Sequence, residues 1–342
     1  LFLKSYLVYI FANKICCVGI NFHKQEWKQS IMIKFIPVFC FLVLFVSGIS
    51  VSAQNFKSLD NDSFRVAIEN CLEESDEGLC EIYGATSGYG TMPSWDTSKV
   101  TDMSQAFDSM PPSYESRESF NADIAAWDVS NVTNMSGMFY NTEMFNADIG
   151  AWDVSSVTDM SNMFWNNKSF NADIGAWDVS SVTNMSSMFH RNYVFNRDIG
   201  AWNVSNVTDF SSMFYNTEVF NKDISAWNVG KATDMSSMFS NNKVFNAKIG
   251  DWDVGNVNNL GYMFSDTSFN QNINNWDISE VSDISGMFAN NLSFNQPLSD
   301  WDVSNVTNMS RVFQNSNFNQ DISSWDVGNV GDMSGMFAQN PS

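Results

Sequence analysis

The sequence contains few of the residues on which metal sites and most catalytic sites depend. It has two histidines and five cysteines in 342 residues, and after residue 53 only His190, Cys71 and Cys80 remain. No Cys and His ligands at metal-binding spacing, no GxSxG motif and no phosphate-cradling glycine loop occur. The sequence therefore predicts no metal, no cofactor and no enzyme activity. Carboxylates alone leave a carbohydrate-active enzyme as a lesser alternative.

Positive charge is also scarce. The chain has 17 lysines and arginines against 38 aspartates and glutamates, a net charge of −21. The residues after position 53 hold 12 basic and 37 acidic side chains, a net charge of −25. Such a surface repels phosphates and anionic lipid headgroups. We therefore expect neither nucleic acid nor a membrane surface as a partner.

The first 53 residues differ in composition from the rest of the chain. Residues 1–31 precede the first methionine, Met32, and are interpreted as an upstream segment outside the folded protein. Residues 32–53 combine Lys34, the apolar stretch FIPVFCFLVLFV and the small-residue segment SGISVSA, which is typical of a secretory signal peptide cleaved after Ala53. A membrane anchor is the alternative, but the apolar run is shorter than the roughly 20 residues that a bilayer requires. We therefore predict a secreted or cell-surface protein that is not inserted in a membrane after cleavage.

A repeat of 25 residues occurs about ten times within residues 94–342, and the copy that begins at Trp127 reads WDVSNVTNMSGMFYNTEMFNADIGA. Apolar side chains follow each tryptophan at five, eight, eleven and twelve residues, and these steps predict a short helix. The tryptophan and the apolar residue two positions later predict a short strand. Repeats of this length bury their faces by stacking, so the sequence predicts an α/β repeat solenoid, a right-handed stack whose last repeat is incomplete. The tryptophans are Trp95, Trp127, Trp152, Trp177, Trp202, Trp227, Trp252, Trp276, Trp301 and Trp325.

Residues 54–93 precede the repeats and are predicted to form an N-terminal helical cap. The segment SLDNDSFRVAIENCLEE brings Phe64, Ile68 and Cys71 to one face of an amphipathic helix. Cys71 and Cys80 suit a local disulfide in an exported protein, and two buried free thiols are the alternative. The last repeat has no equivalent cap, which leaves self-association through the C-terminal face as an option.

The repeat resembles that of the BspA-like leucine-rich-repeat surface proteins, in the branch with the pattern WDVSxVTDMSxMF…FNxDIxxW that is abundant in mycoplasma. The resemblance covers residues 95–342. It implies a leucine-rich-repeat-like fold, an extracellular location and, for some members, adhesion. It implies no catalytic residues.

An asparagine follows the second phenylalanine of each repeat. Because an amide both donates and accepts hydrogen bonds, a stacked row of asparagines is predicted to bond loop backbone groups along the solenoid. We interpret this row as a structural ladder. Its members are Asn121, Asn146, Asn171, Asn196, Asn221, Asn246, Asn270, Asn295 and Asn319.

Aspartates form two further rows, one directly after the tryptophan, as at Asp128, and one directly before the isoleucine, as at Asp123. Stacked carboxylates repel, which makes calcium between repeats one interpretation. No calcium-loop pattern accompanies them, and Asn203, Lys248 and Pro297 interrupt the rows. We therefore favour turn roles for these aspartates and predict no metal site.

Thirteen residues after the tryptophan, four consecutive repeats carry Tyr140, Trp165, His190 and Tyr215, where later repeats have serine, alanine or glutamine. Because equivalent positions stack, we expect one continuous row of rings, bordered by Tyr193. Such rings suit a sugar or a protein partner. The alternative is that they pack over the ends of the predicted helices as additional core.

These features together predict a binding or adhesion scaffold that acts through its solenoid surface without catalysis. The predicted partner is an extracellular protein or a glycan. The alternative from another class is a self-assembling structural surface component, in which the C-terminal face packs on another copy.

Overall fold

The computed structural model describes residues 56–75, 77–108 and 118–341. All of them belong to one compact unit, Phe56–Ser342. The predicted upstream segment 1–31 and signal peptide 32–53 lie outside the described residues. Within the described part of the chain, no helix combines the length and the apolar character needed to cross a bilayer.

Among the described residues, three helical segments precede the repeats. Helix α1 spans Asn61–Glu74, α2 spans Glu81–Ser87, and a 3₁₀ turn spans Met92–Ser94. The carboxylate of Asp60 accepts a hydrogen bond from the backbone N–H of Ser63, whose hydroxyl accepts one from the backbone N–H of Asp60. This reciprocal capping box sets the first residue of α1.

The buried side of α1 includes the face that its sequence pattern predicts, with Phe64, Ile68, Cys71 and Leu72 all buried. A disulfide joins Cys71 to Cys80, and it thereby ties α1 to the residue that precedes α2.

Helix α1 packs against the first repeats. The ring of Phe64 meets those of Trp95 and Trp127 edge-on, with centroids 6.4 and 5.5 Å apart. Arg65 forms an ion pair of 3.4 Å with Asp102 at the surface of the same contact. The segment before the repeats therefore covers apolar surface of the first repeat that would otherwise face water.

Successive repeats pair in parallel and in register. The described residues of the repeats contain isolated bridges rather than extended strands, and each bridge between two repeats lies seven residues after the tryptophan, as between Asn134 and Asp159. This position falls inside the segment predicted to be helical, so the strand predicted at the tryptophan is wrong. The bridged residues are Asp102, Asn134, Asp159, Asn184, Asp209, Asp234, Asn259, Asp283, Asn308 and Asp332.

The segment predicted as a short helix is a series of tight turns. In the repeat of Trp152, Asn162 and Asn166 have φ values of 56° and 52°, a left-handed conformation that a right-handed helix excludes. The backbone N–H groups of Met160, Asn162, Phe164 and Asn166 donate to carbonyls of the next repeat over 2.7 to 3.0 Å. The helix prediction is therefore wrong, because these donors bond the neighbouring repeat instead of carbonyls four residues back. The spacing of three, three and one nevertheless identifies the buried side chains.

Rows of phenylalanine and tryptophan rings form the core. Phe139 and Phe145 stack at 3.8 Å within one repeat, and Phe139 lies 5.6 Å from Phe164 of the next. The indole N–H of Trp152 donates to the carbonyl of Ile124 over 3.2 Å, and later tryptophans repeat this bond. Each ring packs on its equivalent in the next repeat, so a repeat completes its core only with neighbours.

Candidate functional site

Four rings at equivalent positions form a single stack on the surface of the repeats. Tyr140 and Trp165 are 4.4 Å apart, Trp165 and His190 5.3 Å, and His190 and Tyr215 4.5 Å, measured between centroids. The planes are within 24° of parallel. The structure therefore brings together the four predicted residues, which we call the aromatic row.

Stacking covers the faces of the inner rings. Trp165 and His190 each have a ring on both sides, and Arg191 lies over part of the Trp165 ring, so their faces are largely occupied by neighbouring side chains. The two outer rings, Tyr140 and Tyr215, have one ring partner each within the row. A flat ligand that stacks on a ring face is therefore accommodated at the ends of the aromatic row and not along its length.

His190 is held as a neutral side chain inside this stack. Burial between its neighbours and the adjacent Arg191 guanidinium lower the pKa of its imidazole to about 4. Its Nδ1 atom is buried and has no hydrogen-bond partner among the described residues. At neutral pH His190 therefore acts as an aromatic spacer and not as a cation.

Arg191 and Tyr193 border the aromatic row. The Arg191 guanidinium lies 5.7 Å from the centroid of the Trp165 ring, close enough for a cation–π contact. The Tyr193 hydroxyl accepts a hydrogen bond from the side-chain amide of Asn216 over 3.4 Å. Arg191 is exposed, whereas Tyr193 is half-buried. The aromatic row therefore has a cation and a phenol along one side.

Asparagines one residue beyond the aromatic row bond from repeat to repeat. The side-chain amide of Asn166 donates to that of Asn141 over 2.9 Å, and Asn241 bonds Asn216 in the same way. These asparagines were not among the residues predicted from the sequence, and their hydrogen bonds fix the edge of the surface next to the rings.

Large residues pair with glycines of the next repeat three positions before the position of the aromatic row. Ten residues after each of the ten tryptophans that begin the repeats, the backbone has a φ between 54° and 67°. Wherever that position carries a large side chain, the next repeat has glycine there, and the side chain leans over this glycine. The three pairs are Gln105 with Gly137, Tyr262 with Gly286, and Arg311 with Gly335. This pairing of a large residue with a glycine in the next repeat can be found in the sequence when the repeats are aligned.

A cavity adjoins each end of the aromatic row. The one at Tyr140 measures about 310 Å³ and includes Gln105, Asp108 and Asn162. The one at Tyr215 measures about 420 Å³, and we call it the Tyr215 groove. It is lined by Tyr215, Ser237, Ser240, Tyr262, Ser265, Asp266, Ala289, Asn290, Arg311 and Gln314.

Asp266 is the carboxylate of the Tyr215 groove. Burial acts to raise its pKa, but hydrogen bonds from Asn290 and Lys243, the Lys243 charge and a bond from Ser265 together hold the pKa below its usual range. The Asn290 and Lys243 bonds measure 3.0 and 3.2 Å. Asp266 is therefore ionised at neutral pH and held in place. Asp266 was not predicted from the sequence, because asparagine occupies this position in most repeats.

The nine asparagines of the predicted ladder lie in one row. The side-chain oxygen of Asn121 accepts the backbone N–H of Asn146 over 2.9 Å, and each following member accepts that of the next. The ladder thus connects backbone groups of neighbouring repeats and lies apart from the residues of the aromatic row.

Both aspartate rows form turns. Asp128 accepts the backbone N–H of Ser130 over 3.1 Å, and Asp148 that of Gly150 over 3.1 Å. A cavity of about 980 Å³ runs along the second row, between carboxylates and small side chains. In the part of the chain that the structure describes, no three His, Cys, Asp or Glu side chains are placed to hold a metal ion.

Comparison with known proteins identifies a family but no characterised relative. The family model described as "Mycoplasma protein of unknown function, DUF285" matches residues 82–156, 146–250 and 233–342. No curated protein and no solved structure matches the chain.

Proposed function

Because the chain belongs to the Mycoplasma protein family of unknown function, DUF285, as a tandem-repeat member, we propose its function from its own surface: it is a non-catalytic binding and adhesion scaffold. The aromatic row carries this proposal. Four rings with Arg191 alongside are a concentration of binding side chains that the other described repeats lack. Aromatic and arginine side chains are those most enriched at binding surfaces.

The location and the finer family belong to the same proposal. The resemblance of the repeat to BspA-like surface proteins, the signal-peptide pattern of residues 32–53 and the disulfide between Cys71 and Cys80 support an exported, cell-surface protein. The in-register parallel bridges support a right-handed, leucine-rich-repeat-like solenoid, with turns where a helix was expected.

Rings that only extended the core would be completely covered. The four rings of the row are instead half-buried, whereas the neighbouring core ring Phe164 is fully buried. Half-buried rings held by stacking offer contact area at little further cost in side-chain entropy. The row is therefore suited to bind an extracellular protein or glycan.

The test is binding of the full chain, with and without the aromatic row. Fluorescently labelled protein is applied to a glycan array and to cultured cells, beside the double variant Trp165→Ala, Tyr215→Ala. We expect the variant to lose at least tenfold in apparent affinity, because truncation of one inner and one outer ring removes a large part of the contact area.

The matched control is Asp178→Asn, which changes the row that follows the tryptophan. Asparagine fills this position naturally at Asn203, where it accepts the same turn hydrogen bond from Ser205. The control should bind as the parent does. Equal binding by the double variant, with its unfolding transition preserved, would show that the aromatic row is not the binding surface.

A second candidate function is self-assembly through the last repeat. Val327, Met333 and Phe337 are 41, 40 and 48% exposed, where equivalent residues of inner repeats are buried. Such a face favours packing on another repeat surface. Sedimentation of the full chain distinguishes the two functions, because assembly predicts a mass that rises with micromolar concentration and the scaffold function does not.

A further inference from the structure

The Tyr215 groove continues the surface of the aromatic row, and the open face of Tyr215 forms its first wall. His190 covers one face of the Tyr215 ring at 4.5 Å. The next repeat has Ser240 at the equivalent position, so a ring is replaced by a hydroxymethyl group and the other face of Tyr215 borders the groove. An aromatic face next to a cavity of about 420 Å³ is a place where a ring-sized ligand stacks.

The floor of the groove is polar and built from small side chains. Ser240 and Ser265 are 7 and 5% exposed and follow one another at the position that rings occupy in earlier repeats. Asn290 and Gln314 continue along the groove in the next two repeats. Hydroxyls and amides both donate and accept, so this floor matches a ligand with many hydroxyl groups.

Asp266 adds a fixed acceptor in the same groove. Its carboxylate accepts from Asn290, Lys243 and Ser265, whereas a carboxylate offers about four acceptor sites. The Asp266 carboxylate can therefore accept one further hydrogen bond, from a ligand hydroxyl. A hydrogen bond to a charged acceptor is stronger than one between neutral groups.

Tyr262 and Arg311 form the side of the groove. Tyr262 leans over Gly286 and is 36% exposed, so its ring lies against the backbone and still reaches solvent. Arg311 leans in the same way over Gly335. From Tyr215 to Gln314 the lining crosses four repeat steps, roughly 19 Å at the spacing of paired strands. The groove is thus long enough for a chain of several linked rings.

We propose that the Tyr215 groove binds a neutral oligosaccharide, with one sugar ring stacked on the open face of Tyr215 and its hydroxyls bonded to Ser240, Ser265 and Asp266. This rests on the proposed binding function and names its ligand class. The hydroxyl and amide groups of the floor favour a neutral sugar, and the acidic balance of the chain disfavours an anionic one.

The experiment is calorimetric titration of the purified full chain with cellopentaose, maltopentaose and chitopentaose, and with pentagalacturonate as the anionic probe. We expect saturable binding of at least one neutral pentasaccharide, and weaker binding of pentagalacturonate. Ser240→Trp should weaken neutral binding at least tenfold, because the new indole would cover Tyr215 as Trp165 covers Tyr140. Ala338→Trp, at the same position of the repeat but outside the groove, is the matched control and should leave affinity unchanged.

If Ser240→Trp does not fold, Asp266→Asn replaces it, since asparagine fills this position at Asn241 and Asn290; it should weaken neutral binding at least threefold. The proposal is overturned if no neutral pentasaccharide binds, if pentagalacturonate binds best, or if the folded groove variants bind as the parent does. Binding to cells or arrayed glycans that still depends on Trp165 would then leave the proposed function standing without this ligand class.

Discussion

The pairing of Tyr262 with Gly286 yields the sharpest test of how neighbouring repeats fit together. A Cβ atom added to Gly286 would lie 2.5 Å from Tyr262 Cδ1 and closer still to Cε1, at a φ of 57°. Gly286→Ala therefore combines the cost of a left-handed alanine, about 1 to 2 kcal/mol, with overpacking against the ring, about 1 to 3 kcal/mol. We expect the free energy of unfolding to fall by about 2 to 5 kcal/mol.

Gly137 provides a control, because it has the same backbone conformation but an added Cβ there would not overlap a neighbouring side chain. Gly137 has a φ of 60°, and an added Cβ would meet Gln105 Cγ at 3.4 Å, an ordinary contact. Gly137→Ala should therefore cost only the left-handed term, about 1 to 2 kcal/mol. Urea unfolding followed by tryptophan fluorescence measures both variants.

A double-mutant cycle isolates the contribution of the Tyr262 ring to the cost of Gly286→Ala. Tyr262→Ser in the Gly286→Ala background should recover about 1 to 3 kcal/mol, because Ser212 and Ser237 show that small residues occupy successive repeats at this position. Equal losses for the two glycine variants, or no recovery when the ring is removed, would refute the idea that Tyr262 requires glycine in the next repeat.

Three other variants or conditions have defined outcomes. Asn171→Ala removes the acceptor for the backbone N–H of Asn196 and should lower the free energy of unfolding by about 1 kcal/mol in a urea titration. An unchanged free energy of unfolding would show that the ladder does not stabilise the fold. Reduction of the Cys71–Cys80 disulfide removes a cross-link between residues nine positions apart and should lower the same quantity by about 2.6 kcal/mol, measured with and without reductant. The pKa of His190 is about 4 in the folded chain against an ordinary 6.5, so the unfolded chain binds more protons between these values and stability falls as the pH is lowered through this window. His190→Tyr should flatten that slope in thermal scans, and an NMR titration placing the imidazole pKa near 6.5 would contradict the buried stack.

The sequence alone determined the period of the repeat and the side chains that face inward. The spacing of apolar residues after each tryptophan identified the buried positions, and alignment of equivalent positions was sufficient to place Tyr140, Trp165, His190 and Tyr215 in one row. Both results follow from repetition itself, because identical repeats that stack bring identical positions together.

The tertiary structure decided how the backbone satisfies its hydrogen bonds. Within one repeat, apolar steps of three, three and one are compatible with a helix, and only the neighbouring repeat offers the carbonyls that accept from Met160, Asn162 and Phe164. Ring geometry was decided in the same way, since stacking leaves Tyr215 with an open face and places Tyr262 over Gly286. These features depend on contacts between residues about 25 positions apart, and a periodicity read within a single repeat does not contain them.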